Sequence, residues 1–375
     1  MSAPGRSEAR IPEHASAAGS RVSAAAAIKV YVVDDSAIVR QTMQHLLQGQ
    51  PGIELLGSAA NPLIAAPALR KQRPDVLLLD IEMPGMDGLT FLRQIMAEAP
   101  IPTVICSTLT TQGGKVALEA LAAGAVAVVA KPRLGLKQFL ESSRQELVQT
   151  LKVAARSRPR APPAARQTTI GPAAQPPAPR RHALSVNKPV FIGSSTGGTL
   201  AIEQVLLALP ADAPGIAIVQ HMPEKFTAMY AQRLNDVCAM QVREARDGDR
   251  LERGLVLIAP GGRHMQVRKA GGQYFVQVVD GPAVNRHKPS VDVLFRSAAE
   301  CAAADALAII LTGMGDDGAR GMKQMHERGA HTLAQDEDSC VVFGMPKEAI
   351  RAGAVDEVIA LGQVARAILD FDARG

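Results

Sequence analysis

The sequence predicts an α/β protein with two doubly wound parallel-sheet domains joined by a Pro/Ala/Arg-rich linker. Three observations carry this. The chain has 375 residues, 47% of them hydrophobic, too long for one ordinary core and apolar enough for two. Short apolar runs alternate with helical patterns in two separate series, and such alternation implies parallel sheets covered by helices on both faces. Between the series lies a stretch with Pro159, Pro162, Pro163, Pro172, Pro176, Pro177 and Pro179 among Ala and Arg, which has little to bury. The expected organisation is a disordered lead-in over 1–27, a first domain over 28–151, a flexible linker over 152–188 and a second domain over 189–375.

In the first series Lys29–Val33 is a short apolar run with Tyr and Val, hence a strand, followed by Ile38, Val39, Met43, Leu46 and Leu47 at helical spacing. Leu55–Ser58, Val76–Leu79, Thr103–Cys106 and Val126–Val129 read as further strands, and the last helix runs from about Gln138 to Val153. In the second series Val190–Ile192 stops abruptly at Gly193-Ser194-Ser195-Thr196-Gly197-Gly198, and a helical pattern follows. Gly215–Gln220, Leu255–Ala259 and Ala306–Leu311 are further strands; Met265–Arg268 and Gln273–Val279 form a hairpin. Helices are expected over about Lys225–Cys238, over Val291–Cys301, and after Gly318 to about Arg328.

Composition excludes several classes. The net charge is +5, yet residues 152–188 hold eight basic and no acidic groups while residues 189–375 hold 19 basic and 23 acidic. The basicity belongs to the linker, so no nucleic-acid footprint on a folded face is expected. No apolar run approaches the roughly 18 residues of a membrane span, so no membrane insertion is expected. The N-terminus has no compact apolar core with a cleavage site, so no signal peptide is read. Cys106, Cys238, Cys301 and Cys340 lie far apart, which fits reduced thiols in a cytoplasmic protein and gives no zinc spacing.

Ligands of a parallel sheet bind outside the carboxyl ends of its strands. In the first domain those ends carry Asp34-Asp35, Asp80, Ser107 and Lys131. Three carboxylates, a hydroxyl and a lysine on one rim suit a phosphoacceptor. Oxygen-rich acids favour a hard cation such as Mg²⁺, Lys131 neutralises an incoming phosphoryl group, and Asp80 attacks phosphorus. The added phosphate would be engaged by Ser107 and Lys131. These residues resemble the receiver domain of two-component response regulators. The resemblance implies a flavodoxin-like fold, phosphorylation at Asp80, Mg²⁺ on Asp34, Asp35 and Asp80, and a histidine kinase as phosphodonor. One departure is Val128, where receivers often carry an aromatic residue.

In the second domain three strand ends carry Ser195, His221 and Asp316-Asp317. Gly193, Ser195 and Gly197 fit G-x-S-x-G, a tight turn that lifts a serine onto the rim of a sheet. A serine hydroxyl needs an imidazole base, and that imidazole needs a carboxylate to fix its tautomer. His221 and Asp317, or Asp316, fill those roles if the three strands lie together. His264, His287, His326 and His331 compete for the base, and only His287 sits in a comparable loop.

The stretches IGSSTGG, QHMPEKFT, IAPGGRHM, DGPAVNRHKPSVDVLF, ILTGMGDDG and CVVFGMPKEAI resemble the catalytic domain of chemotaxis protein-glutamate methylesterases. The resemblance covers most of 189–375 and implies a Rossmann-like three-layer fold with a Ser195, His221, Asp317 triad. It implies hydrolysis of glutamate methyl esters and deamidation of glutamines on the cytoplasmic domains of methyl-accepting chemoreceptors, with no cofactor for the ester chemistry. Thr196 and the Met314 backbone are the expected oxyanion donors. Ser194 stands where alanine is usual, and Asp316 where asparagine is usual. The order Ser, His, Asp differs from the Ser, acid, His order of ordinary α/β-hydrolases. Two competing readings are a response regulator with a DNA-binding output, and a phospho-dependent docking module with an inactive triad.

Overall fold

A computed structural model describes residues 27–83, 87–108, 110–131, 137–157 and 188–373. The expected lead-in and most of the expected linker lie outside the described residues.

The first series forms β1 (Ile28–Val33), α1 (Ala37–Leu47), β2 (Ile53–Ala59), α2 (Pro62–Lys71), β3 (Val76–Asp80), α3 (Gly88–Glu98), β4 (Thr103–Ser107), α4 (Thr111–Ala122), β5 (Ala127–Ala130) and α5 (Lys137–Ala154). Its sheet is parallel throughout, in the order β2-β1-β3-β4-β5. Four helices start on side chains that accept a backbone N–H: Ser36, Asn61, Asp87 and Thr110. Each is the short polar residue that satisfies an orphan donor of the first turn.

The second series forms β6 (Val190–Ser194), α6 (Gly198–Leu207), β7 (Ile216–Gln220), α7 (Glu224–Val237), β8 (Gln241–Glu244), β9 (Leu255–Ile258), β10 (His264–Ala270), β11 (Gln273–Val279) and α8 (Val291–Cys301). It ends with β12 (Leu307–Ile310), α9 (Ala319–Glu327), β13 (His331–Gln335), α10 (Met345–Arg351), β14 (Glu357–Ile359) and α11 (Leu361–Ala373). Seven strands lie parallel in the order β14-β13-β12-β6-β7-β9-β8, and β10-β11 is a separate antiparallel hairpin. The expected strands are present within about two residues of their expected ends, inside the usual spread of boundary assignment. Strands β8, β13 and β14 carry no clear pattern. β14 is an exposed edge, whereas β13 buries Thr332 to Gln335 because a strand flanks it on each side.

The two sheets are not isolated from one another. Helix α4 packs on α6 and α7. Leu118 and Leu121 of α4 belong to the same buried cluster as Ile202 and Tyr230. A Cβ on Gly114 would lie 2.1 Å from Met229 Cε, so the bare backbone of α4 makes room for α7.

Candidate active site and phosphoacceptor pocket

In the seven-stranded sheet the chain first moves outward from β6 to β7, and later returns to the other side of β6 with β12. Ser195 therefore stands at the topological switch point, where ligands bind in open α/β sheets. Gly193 pairs with both Ile310 and Val219, and Ser194 with Gln220. The register continues past the strands: Ser195 N donates to Thr312 O at 3.1 Å, and His221 N donates to Ser194 O at 3.1 Å. Neighbouring strand ends thus place the serine, the imidazole and the segment leading to Asp317 side by side. Gly197 makes the turn after Ser195 with φ +80°, a region open to glycine.

Gln220, which sequence reasoning passed over as a strand end, ties the site together. Its amide donates to Ser195 O at 2.8 Å and to His221 O at 3.1 Å, and accepts from Ser194 Oγ at 2.6 Å. No sequence signal distinguishes it from any other buried strand residue.

His221 Nε2 lies 2.8 Å from Asp317 Oδ2. Asp317 is nearly fully buried, and Asp316 is exposed, so the acid that faces the imidazole is Asp317. Asp317 also accepts from Ser290 Oγ (2.8 Å), Asn285 Nδ2 (2.8 Å), Val291 N (2.8 Å) and Asp292 N (3.2 Å). It occupies the N-terminus of α8, where free N–H groups and the helix dipole favour an anion. Burial opposes its ionisation, but the hydrogen bond and charge of His221, with Asn285 and Ser290, hold its carboxyl well below the usual range. An ionised Asp317 accepts a hydrogen bond from Nε2–H, which fixes the tautomer with the lone pair on Nδ1. That Nδ1 is buried with no partner among the described residues.

Of the competing histidines, His287 stacks on His221 with ring centroids 3.7 Å apart and an interplanar angle of 9°. Burial, then the neighbouring His221, pushes His287 down to about 4, so it is neutral at pH 7. His264 bonds Pro282 O and Ser290 N through its two ring nitrogens. His326 and His331 lie beside Asp356, away from Ser195. Ser195 N–H is already engaged by Thr312 O, whereas the backbone N–H groups of Thr196 and Met314 donate to nothing among the described residues. Gly313 brings Met314 close, since a Cβ there would lie 2.9 Å from Ser195 Cβ.

The first sheet switches between β1 and β3, and there Lys131 Nζ lies 2.7 Å from Asp80 Oδ2 and 3.3 Å from Asp34 Oδ2. Carboxylate oxygens of Asp34, Asp35 and Asp80 lie within 4.8 Å of one another. Asp34 Oδ2 is buried without a hydrogen-bond donor of proper geometry. A hard cation fits this set of oxygens. Burial, and then the charge of Asp34, push Asp80 up to about 6 against the bond from Lys131. Burial favours a neutral Lys131, but Asp80 and Asp34 hold its ammonium above the ordinary range. Ser107 Oγ is 3.2 Å from Thr108 O and from Gly113 O, turned toward the start of α4.

The CheB methylesterase family model matches residues 190–368, and the response regulator receiver domain model matches residues 30–142. A protein-glutamate methylesterase/protein-glutamine glutaminase of Dechloromonas aromatica is 56% identical over 351 residues, covering 92% of this chain and 98% of that one. One from Xanthomonas campestris is 56% identical over 348 residues, covering 90% of this chain and 99% of that one. The chain belongs to the protein-glutamate methylesterase/protein-glutamine glutaminase family. The crystal structure of the Thermotoga maritima CheB methylesterase catalytic domain is 37% identical, covering 49% of this chain and 98% of that one with a TM-score of 0.48.

Within the methylesterase family pattern both departures have a physical account. Ser194 adds a hydroxyl that satisfies the buried Gln220 carbonyl. Asp316 adds a carboxylate on the solvent side of the turn, away from the Asp317 network. A DNA-binding output is replaced by the methylesterase match over the same residues.

Proposed function

We propose that this chain is a phosphorylation-regulated hydrolase that demethylates glutamate methyl esters and deamidates glutamines on chemoreceptor cytoplasmic domains. Ser195 is the nucleophile, His221 the base through Nδ1, and Asp317 the group that orients and stabilises the imidazolium. Ser195 Oγ attacks the side-chain carbonyl carbon while its proton passes to Nδ1. The tetrahedral oxyanion is held by the Thr196 and Met314 N–H groups. The C–O bond to the methoxy group breaks, His221 returns the proton, and methanol leaves. Water then gives a proton to Nδ1 and attacks the acyl carbon; the C–Oγ bond breaks as His221 returns that proton to Ser195 Oγ, and the product acid ionises to the glutamate carboxylate. For glutamine the first leaving group is ammonia. The observation that carries this reading is His221 Nδ1, buried without a partner among the described residues, on the strand end that bonds Ser194 next to Ser195, with Asp317 on the opposite ring nitrogen.

On the receiver, Asp80 accepts a phosphoryl group from a chemotaxis histidine kinase, and Asp34, Asp35 and Asp80 would hold Mg²⁺. Such a cation would supply positive charge for the phosphoryl oxygens. Lys131 orients the phosphoryl group, and Ser107 turns from the α4 loop to engage it. Two contacts support control of the second site by the first: α4 lies against α6 and α7, and Val341, beside Gly197, packs against the receiver core cluster that includes Val104, Cys106 and Val129. The unphosphorylated receiver restricts receptor access, and phosphorylation loosens it. Among the described residues no helix is long and apolar enough to cross a membrane, and a cytoplasmic site of action follows from the substrate.

The test is methanol release from methylated receptor membranes, with and without a small phosphodonor and Mg²⁺. Phosphodonor-stimulated release is expected, and a Ser195→Ala chain with near-normal release would remove the assignment.

A further inference from the structure

The segment 284–290 does more than connect the hairpin to α8. Among the described residues, two non-glycine residues have positive φ, Asn285 at 49° and Arg286 at 69°. Asparagine tolerates this region better than most residues, and strain of this kind persists where surroundings over-determine it. Here the turn is closed by reciprocal backbone bonds between Val284 and His287, at 3.0 and 2.9 Å. Past it, His287 stacks on His221 and Ser290 donates to Asp317.

The side chain of Asn285 reaches inward to two buried carboxylates. Its Nδ2 lies 2.7 Å from Asp292 Oδ2 and 2.8 Å from Asp317 Oδ1. Asp292 is 0% exposed and Asp317 is 1% exposed. With an anionic acceptor on each side, only the amide nitrogen fits that position. An amide has two hydrogens, and each has its own carboxylate. Asp292 is further held by Gly321 N at 2.7 Å and Arg296 at 3.1 Å. Without the shared amide, two buried carboxylates would face one another with a donor missing from each, and the cost of a lost partner is greatest for buried charge.

We propose that Asn285 is a positioning residue for ester hydrolysis: by sharing one amide between Asp317 and Asp292 it locks Asp317 Oδ2 onto His221 Nε2. The inference rests on the triad reading above. Asn285 does not reach the reacting atoms. It sets the rotamer of Asp317 and hence the tautomer of His221.

The test uses the full-length chain with methylated receptor membranes. Asn285→Gly keeps the positive φ and deletes the amide. It is expected to lower kcat about 10- to 100-fold with KM unchanged, the range for orienting partners one contact removed from the chemistry. Asn285→Asp keeps the shape but replaces a donor with an acid. Its activity relative to wild type is expected to fall as pH rises, because a protonated Asp at this position still donates once and an ionised one repels. A wild-type kcat and pH profile in Asn285→Gly overturns the inference. If neither variant folds, the wild type answers. The two Nδ2 protons of Asn285 are expected to exchange slowly with solvent in nitrogen-15-labelled protein, and exchange as fast as in an exposed asparagine overturns the inference. Asp317→Ala and Ser195→Ala separate the two levels. If they abolish turnover while Asn285→Gly leaves kcat unchanged, only the role of Asn285 fails; if they leave turnover intact, the triad fails and this inference with it.

Discussion

At the scale of single residues, the chemistry depends on which ring nitrogen of His221 is left free. Asp317 takes Nε2, so Nδ1 is the nitrogen left without a partner among the described residues. Replacement of Ser195 or His221 by Ala is expected to lower turnover on the order of 10⁴- to 10⁶-fold, read by methanol release. His287 supplies a pH prediction. Its folded-state value is about 4, against about 6.5 in an unfolded chain. Between these values the unfolded chain binds more protons, so stability rises with pH across this window. The contribution is complete above about pH 6.5 and lost as the pH falls toward 4. In His287→Phe the stability gap between pH 4 and pH 7 is expected to narrow by on the order of 1–3 kcal/mol, measured by urea unfolding at both pH values. Ser195, His221 and the Asp316-Asp317 pair were legible because reactive side chains followed apolar runs. The choice of Asp317 over Asp316 rested on the family resemblance alone, since adjacent residues in a turn differ only in the direction they face. Gln220 and Asn285 were illegible for another reason: their partners lie in other elements.

At the scale of elements, one helix end builds the site. Helix α8 has no side-chain cap of its own, because Ser290 and the first N–H groups all serve Asp317. The carboxylate from the β12–α9 turn caps α8 from outside, which couples helix stability to the acid of the proposed triad. Helix α9 lies close against α8 at Gly321, where a Cβ would sit 2.8 Å from Phe295 Cβ. Gly321→Val is therefore expected to destabilise the fold by about 1–3 kcal/mol, the range for overpacking, and to lower methanol release by displacing both Asp292 and the segment after Asp317. Unfolding in urea alongside the activity assay checks it. The fully buried strands β3, β6, β7 and β12 were readable as continuous apolar runs, as expected where helices cover both faces. β13 was not readable, because its burial comes from neighbours on both sides and not from its own composition.

At the scale of the whole molecule, the α4 contact with α6 and α7 makes the receiver part of the surface around the second site. Removing residues 1–151 is expected to raise basal methanol release about 5- to 150-fold, the span of a typical allosteric coupling. A truncated chain no faster than the unphosphorylated whole would count against restriction by docking. The acidic pocket gives a second expectation. Mg²⁺ should raise the melting temperature of the wild-type chain, because a ligand of the native state stabilises it, and should do so much less in Asp34→Asn. Thermal unfolding with and without Mg²⁺ decides this.

The amino-acid order by itself determined two alternating α/β series, the acidic rim of the first and the serine turn of the second. These are local signals, since periodicity and turn residues act over a few positions. Only the tertiary structure decided that β12, β6 and β7 are neighbours, that Asp317 lies buried against His221 while Asp316 faces solvent, and that α4 docks on α6 and α7. Those outcomes depend on strand order and helix packing, which are set by contacts between residues far apart in the chain.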